Sequence, residues 1–201
     1  MKSGSDSTLV VVQTLLPRYR RLFFEQLGLA SRRPVTVVLG DGDGGSSQPG
    51  SGAASSVRLE SITTNYLAGG RLLWQPGALP PATAAEAVVL ELNPRILSNW
   101  LILFLRAPRD RRTILWGHAW SRSGQGSWTN RLRGIMLRMA DGVILYTETD
   151  RQELLAKHPQ AKAWSANNAI FEAGGIPAAS SRKKEDAFLI LGREKEKKKP
   201  G

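Results

Sequence analysis

The chain has no cysteine in its 201 residues, which excludes disulfides, thiolate metal sites and a cysteine nucleophile. Histidine is almost as scarce: only His118 and His158 occur, so any imidazole chemistry rests on one of these two positions. Long apolar runs are missing too. The longest, Ile96 to Leu105, is interrupted by Ser98 and Asn99 and falls well short of the roughly 20 residues that cross a bilayer; a core helix is expected there. Leu9 to Leu16 is apolar, but polar residues precede it, Pro17-Arg18 ends it and no small-residue cleavage site follows, so it does not read as a secretory signal. A cytoplasmic protein is expected. Acidic residues are outnumbered, 17 against 28 lysines and arginines, for a formal net charge of +11. From Arg182 onward eight basic and four acidic residues contribute +4, so the body keeps +7. A body basic in its own right favours an anionic partner: a phospholipid surface, a phosphorylated small molecule or nucleic acid.

What is present is a core and a rhythm. A hydrophobic fraction of 41% suffices for one ordinary domain with, at most, a fragment of a second. TLVVVQ from Thr8 and VTVVLG from Val35 have the β-branched density of strands buried on both faces. Between them a helical pattern runs from Tyr19 to Ala30, with Tyr19, Leu22, Phe23, Gln26, Leu27 and Ala30 on its apolar face. A weaker strand is expected over Val57 to Ile62, followed by an irregular Pro- and Ala-rich stretch. AVVLELN (Ala87 to Asn93), Arg112 to Trp116, Gly142 to Tyr146 and Lys162 to Ser165 read as further strands, and Ile96 to Arg106, Trp128 to Ala140 and Thr147 to Lys157 as helices. Alternation of this kind predicts an α/β fold with a doubly wound parallel sheet. Residues 1–7 are expected to be a disordered N-terminus, 8–170 the domain, 171–186 a linker, and 187–201 a strand followed by a basic tail.

GDGDGGSSQPGSGAASS, residues 40–56, contains Gly40, Gly42 and Gly45 in a GxGxxG pattern after a strand. The dinucleotide fingerprint requires a helix to start there, whereas Ser, Gln, Pro and Gly follow; a flexible surface loop is the expectation, which also weakens a nucleotide-dependent oxidoreductase or epimerase. Asp41 and Asp43 open like a calcium loop, but Gly52 stands where its glutamate belongs.

Ligands of doubly wound sheets lie beyond the carboxyl ends of the strands, where strand order reverses. Pro17-Arg18-Tyr19, Glu91-Leu92-Asn93, Trp116-Gly117-His118, Tyr146-Thr147 and Asn167-Asn168 all fall at or just after such ends and are expected to converge on one rim. His118 is the candidate catalytic group, able to hydrogen-bond a hydroxyl or accept a proton near neutral pH; a structural histidine at the strand-to-loop turn is the alternative. Gly117 would allow close backbone approach. Asn93 either binds hydroxyls or forms a turn with Pro94. Trp116 and Trp120 offer flat faces to a sugar ring, with core packing the alternative for Trp116, and Glu91 is a weaker candidate base within its strand. On WTNRLRGIMLRMA, Leu132, Ile135, Met136 and Met139 share a face, while Arg131, Arg133 and Arg138 suit a phosphorylated or lipid-linked ligand or an anionic membrane, or simply form a solvated basic face.

LLPRYRRLFFEQL, VLELNPRILSNW, ILWGHAW, ADGVILYTETDRQEL and AWSANNAI, in that order and spacing, resemble the N-terminal, acceptor-side domain of bacterial GT-B glycosyltransferases of the family-4-like type, over about Thr8 to Ile170. AFLILGRE (Ala187 to Glu194) is similar to the opening strand of the second GT-B domain, and EKEKKKPG then stands where that domain would continue. The resemblance implies a Rossmann-like half of a GT-B fold and an enzyme transferring a sugar from a nucleotide-sugar donor to a saccharide or lipid-linked acceptor, in polysaccharide biosynthesis of the cell envelope. The partners it implies are the acceptor, the nucleotide-sugar only with a second domain, and peripheral contact with the inner face of the plasma membrane. No metal and no cofactor beyond the donor are expected, and the chain, read as truncated, is expected to lack turnover by itself. The resemblance makes His118 catalytic and assigns acceptor contacts to Pro17, Arg18, Tyr19, Asn93, Trp116, Gly117, Trp120, Tyr146, Thr147 and Asn168, and anion contacts to Arg131, Arg133 and Arg138. The other class compatible with the charge is a non-catalytic basic domain that binds anionic membrane or nucleic acid; no RNA-binding or helix-turn-helix signature supports it.

Overall fold

The structure is a computed structural model that describes residues 8–17, 20–41, 57–108, 111–121 and 127–166. Seven strands form one wholly parallel sheet: β1 (Leu9–Gln13), β2 (Val35–Gly40), β3 (Val57–Ile62), β6 (Ala87–Glu91), β7 (Arg112–Gly117), β8 (Gly142–Leu145) and β9 (Ala163–Ser165), in the order β3-β2-β1-β6-β7-β8-β9. A hairpin of β4 (Asn65–Leu67) and β5 (Leu72–Trp74) stands apart from it. The helices are α1 (Arg21–Ala30), α2 (Leu79–Ala84), α3 (Leu97–Arg106), α4 (Trp128–Met139) and α5 (Glu148–Lys157).

The run of valines explains the centre of the sheet. Val10 and Val12 face one core and Val11 the other, and all three are buried, as period-2 alternation requires of a strand covered on both sides. One core gathers Val88, Leu90, Leu115 and Leu145 beneath Ala82 of α2, Ile102 of α3, Met136 of α4 and Leu154 of α5. The opposite core holds Val37, Leu39, Val89 and Trp116 against Phe24 of α1. Each fully buried aliphatic side chain contributes about 1.5–3 kcal/mol. Helices on both faces of a parallel sheet make this an α/β, Rossmann-like fold, as the alternation in the sequence predicts.

Two expectations need correction. The stretch after β3 is not irregular. Ala68, Gly69 and Gly70 take positive φ (51, 66 and 79°) and turn β4 onto β5; the two glycines accept left-handed backbone freely, while Ala68 takes it at a steric cost. The Leu79-Pro80-Pro81 start then opens α2, because a first turn has no use for the amide hydrogens proline lacks. In α1, Phe24 rather than Leu22 is the fully buried residue, while Gln26 and Ala30 are exposed; the apolar face is rotated toward Phe23, Phe24 and Leu27.

The chain enters at the sheet's centre, moves outward through β2 and β3, and returns to the other side of β1 as β6. Strand order therefore reverses between β1 and β6, and the carboxyl ends of these two strands define the crevice where a ligand is expected. At the opposite, amino-terminal end, Arg106 is 1% exposed. Its Nε donates to Thr113 Oγ1 (2.9 Å), Nη1 to the Ala82 and Ala85 carbonyls (2.6 and 2.8 Å), and Nη2 to those of Glu86 and Arg112 (3.2 and 2.8 Å). All five N–H donors are matched. Among the described residues no helix is long and apolar enough to cross a membrane. The linker and the strand expected beyond residue 170, and the glycine loop at 42–56, lie outside the described residues.

Candidate functional site

The crevice is closed from below by a carboxylate. Glu91, the last residue of β6, accepts from the backbone N–H of Thr14 (2.8 Å) and from its hydroxyl (2.9 Å), so the ends of β1 and β6 are tied across the switch point. Burial pushes its carboxyl above the ordinary carboxylate value; the two Thr14 hydrogen bonds and the nearby Arg20 charge pull the other way and do not overcome it.

Beside it, Arg20 enters from the turn before α1. Pro17 anchors that turn, its carbonyl accepting from the Arg20 N–H at 2.9 Å. The guanidinium donates to buried Gln13 (2.7 Å) and to the Tyr146 hydroxyl (2.6 Å), and lies 5.0 Å from the ring centroids of both Trp116 and Tyr146. Two aromatic faces and two hydrogen bonds fix a cation here. Tyr146 meets His118 edge-on, with centroids 4.7 Å apart, and His118 Nδ1 lies 3.1 Å from Asp150 Oδ2. Asp150 sits in the first turn of α5, where Thr147 caps the helix by accepting its backbone N–H at 3.0 Å. The cap therefore positions the carboxylate that holds the imidazole. The His118 side chain is 60% exposed and that of Asp150 21%: a carboxylate anchored in the fold orients a ring open to solvent.

Arg133 of α4 joins this rim to a second feature. One Nη donates to the Leu92 carbonyl and to the His118 carbonyl, both at 2.8 Å, linking the loops that follow β6 and β7. Burial lowers its pKa, and its Nε–H is buried with no partner among the described residues. Arg133 also lines a cavity of about 950 Å³ between the hairpin, α3 and α4, together with Asn93, Leu72, Trp100 and Trp128.

No family model matches the chain, and no curated protein is significantly similar to it. The residues themselves must carry the functional interpretation.

Of the residues singled out in the sequence, His118, Tyr146 and Thr147 meet on the rim, and Asn93 is set on the cavity. Asn93 also makes a turn, its Oδ1 accepting from Arg95 N at 3.2 Å. Trp116 is corrected: it is 4% exposed and packs on Phe23, Phe24 and Tyr146, so it is a core side chain that backs Arg20, not a platform open to a sugar. Gly117 sits in a close approach, since a Cβ there would meet the Leu92 side chain at 3.1 Å, a tight contact. Trp120 donates to Glu153 (2.7 Å), and Lys157 covers its ring at 4.3 Å; that covered face is not available to a ligand. Arg133 does not share the exposed face of Arg131 and Arg138, because it is turned onto the strand ends. Arg18, Tyr19 and Asn168 lie outside the described residues. His158, read as surface, is exposed at the end of α5.

Sequence reasoning missed Asp150 and Arg20. Asp150 reads as an ordinary acidic residue of a helix start, and only the adjacency of β7 and β8 brings it to His118. The cluster of Arg18, Arg20 and Arg21 after a breaker was the available signal for Arg20, without saying which arginine turns inward.

Proposed function

We propose that this domain is the acceptor-side half of a GT-B-type glycosyltransferase, with His118 at the reacting centre and the sugar delivered by a nucleotide-sugar donor bound on a second domain. The observation that carries the proposal is the exposed His118 ring held by Asp150 on the rim beside the switch point. A carboxylate on Nδ1 keeps that nitrogen protonated and leaves Nε2 as the acceptor, the form that takes a proton from, or hydrogen-bonds, a hydroxyl. Tyr146 limits the tilt of the ring, and Arg20 supplies positive charge where an anionic group of the substrate would sit. Glu91 and Thr14 form the polar floor. Asn93 and the cavity next to Arg133 would receive the acceptor body.

The test is binding before turnover. Titration of the chain with a panel of oligosaccharides, followed by NMR of the His118 side chain, is expected to give weak saccharide binding that perturbs the imidazole resonances and is lost in His118→Ala, with no comparable affinity for a nucleotide-sugar. Absence of any saccharide binding overturns the proposal, and sugar transfer by the isolated chain overturns the division of labour between two domains.

A further inference from the structure

Among the described residues the parallel sheet has two outer strands, β3 and β9, and they differ in what they offer. β9 is three residues, Ala-Trp-Ser, without a charge. β3 is six residues, VRLESI, with a charge of each sign. An open edge of that length presents N–H and C=O groups to any strand that can lie against it.

The direction of these groups follows from the ladder with β2. The Ile62 carbonyl accepts from the Asp41 N–H at 2.9 Å, so the backbone groups of Ile62 face β2. The parallel register pairs Val38 with Glu60 and Thr36 with Arg58, and the backbone groups of these two β3 residues face β2 as well. Direction alternates along a strand, so Leu59 and Ser61 turn their N–H and C=O toward the open edge. The side chains alternate too. Leu59 packs, partly buried, on the α1 side of the sheet, whereas Arg58 and Glu60 stand on the other face, 76% and 43% exposed, with Nη1 and Oε1 4.0 Å apart. A pair so exposed stabilises the single chain little.

Charges of one sign along an edge repel a second copy of the same edge. Here they differ in sign, and the edge is its own complement. When two β3 strands run antiparallel about a two-fold axis at Leu59, position 58 of each lies opposite position 60 of the other. The two Leu59 residues exchange N–H···O=C bonds in both directions. The flanking pairs, Arg58 against Glu60 of the second copy and Glu60 against its Arg58, are then the non-hydrogen-bonded ones, with Cα atoms about 4.5 Å apart and side chains in reach of each other. On the opposite face the two Leu59 side chains meet.

We propose that β3 is a self-association edge, through which two copies of this chain pair antiparallel and join their two seven-stranded sheets into one. The inference goes beyond sugar transfer and does not depend on it, because no residue given a role there takes part in the pairing.

Sedimentation velocity of the full chain, over a series from about 1 μM to about 500 μM, is expected to show a monomer–dimer equilibrium. Arg58→Glu sets like charges opposite each other in both flanking pairs and is expected to weaken the dimer about tenfold or more. Arg58→Glu combined with Glu60→Arg restores opposite charges and is expected to return the dissociation constant to within about threefold of wild type. Both positions are exposed, so the urea unfolding midpoint of the monomer is expected to be unchanged in either variant, which separates lost pairing from lost folding. Amide hydrogen exchange at Leu59 is expected to slow as concentration rises, while that at Glu60, whose N–H is already held by β2, changes little. A chain monomeric throughout the series, a dimer indifferent to Arg58→Glu, a double variant that pairs no better than the single one, or a Leu59 amide indifferent to concentration would each overturn the proposal.

Discussion

The two ends of the parallel sheet use buried arginine in opposite ways. At the amino-terminal end Arg106 saturates five acceptors with five donors and ties the starts of β6 and β7 to α2; nothing of it is left for a ligand. At the carboxyl end Arg133 links the loops that follow two strands, yet among the described residues it keeps a buried Nε–H unmatched, and Arg20 is held by two side-chain hydrogen bonds and two aromatic faces. The first arrangement is complete as folded. The second holds hydrogen-bonding capacity and positive charge in a crevice, beside an imidazole open to solvent. A buried polar group left unmatched costs free energy, and each such group in a native fold calls for an explanation. The same residue type thus separates an end of this sheet that is complete as folded from one that is not.

The largest effect is expected where the network is complete. Arg106→Ala removes five hydrogen bonds from the interior, leaving the Glu86 carbonyl only its bond from the Arg112 N–H, and is expected to cost about 4 kcal/mol or more in urea unfolding. Arg106→Met keeps most of the volume and is expected to recover little of that, because the loss is in hydrogen bonds. A cost under about 1 kcal/mol would remove the contrast between the two ends. Arg133→Ala is expected to cost less, about 1–2 kcal/mol for two bonds from a partly buried guanidinium, while weakening saccharide binding by about tenfold or more, since the loops after β6 and β7 lose their common tie. If Arg133→Ala destabilises as much as Arg106→Ala, Arg133 is a structural clamp and the two ends are alike.

How much of this was readable without coordinates follows from where the signals lie. Valine-rich strands and helical periodicity announce themselves locally, so the parallel sheet, the places of its strands and the rim of strand ends were all legible. The hairpin was not: β4 and β5 are three residues each, too short for a period to show, and LAGGRL looks like any loop. The direction of a side chain is equally invisible in one dimension. Trp116 and Trp120 lie four residues apart around the same break, and one is buried in an aromatic core while the other bonds to α5. Arg131, Arg133 and Arg138 read alike in sequence, yet only Arg133 reaches the strand ends. His118 was legible by its place after β7. Its partner Asp150 was not, because 32 residues separate them and the contact depends on β7 and β8 being neighbours. Gly40 illustrates the same limit: it reads as the first glycine of a loop, but a Cβ there would clash with Thr64 Oγ1 and meet the Thr14 carbonyl at 2.8 Å, so its role is a close approach beside the crevice.

The carboxyl end can be sharpened with a variant that changes no packing. Asp150→Asn is nearly isosteric, and an exposed His–Asp pair stabilises by only about 0–1 kcal/mol, so stability is expected to change little. The imidazole is expected to respond instead: long-range ¹⁵N–¹H spectra of the wild type should show the Nδ1–H tautomer, and the variant a mixed or inverted population. An unchanged tautomer would mean that Asp150 does not orient His118, leaving the ring as one exposed side chain among others.

The smallest effects concern two carboxylates displaced in opposite directions. Glu91 is raised by burial: the folded chain takes up its proton more readily than the unfolded chain. Its stabilising contribution is therefore fully present below the ordinary value of 4.5 and is lost as pH rises through the higher folded value. Glu148 is held down to about 2, chiefly by its hydrogen bonds with Arg151 and then with Ser165, so its contribution is present above 4.5 and is lost as pH falls toward 2. Glu148 is exposed, and solvent screening keeps that contribution small. Glu91→Gln imitates the protonated acid, since the amide oxygen can accept from Thr14 N–H and the amide hydrogens can reach the Thr14 hydroxyl oxygen. Its Tm relative to wild type is expected to climb as pH rises above 4.5, whereas Glu148→Gln is expected to differ from wild type only above the acid range and to lose that difference as pH falls. Parallel curves for Glu91→Gln and wild type across the whole range would mean that the switch-point carboxylate folds with no desolvation cost. The crevice would then be as fully matched as Arg106, and the contrast between the two ends of the sheet would rest on Arg133 and His118 alone.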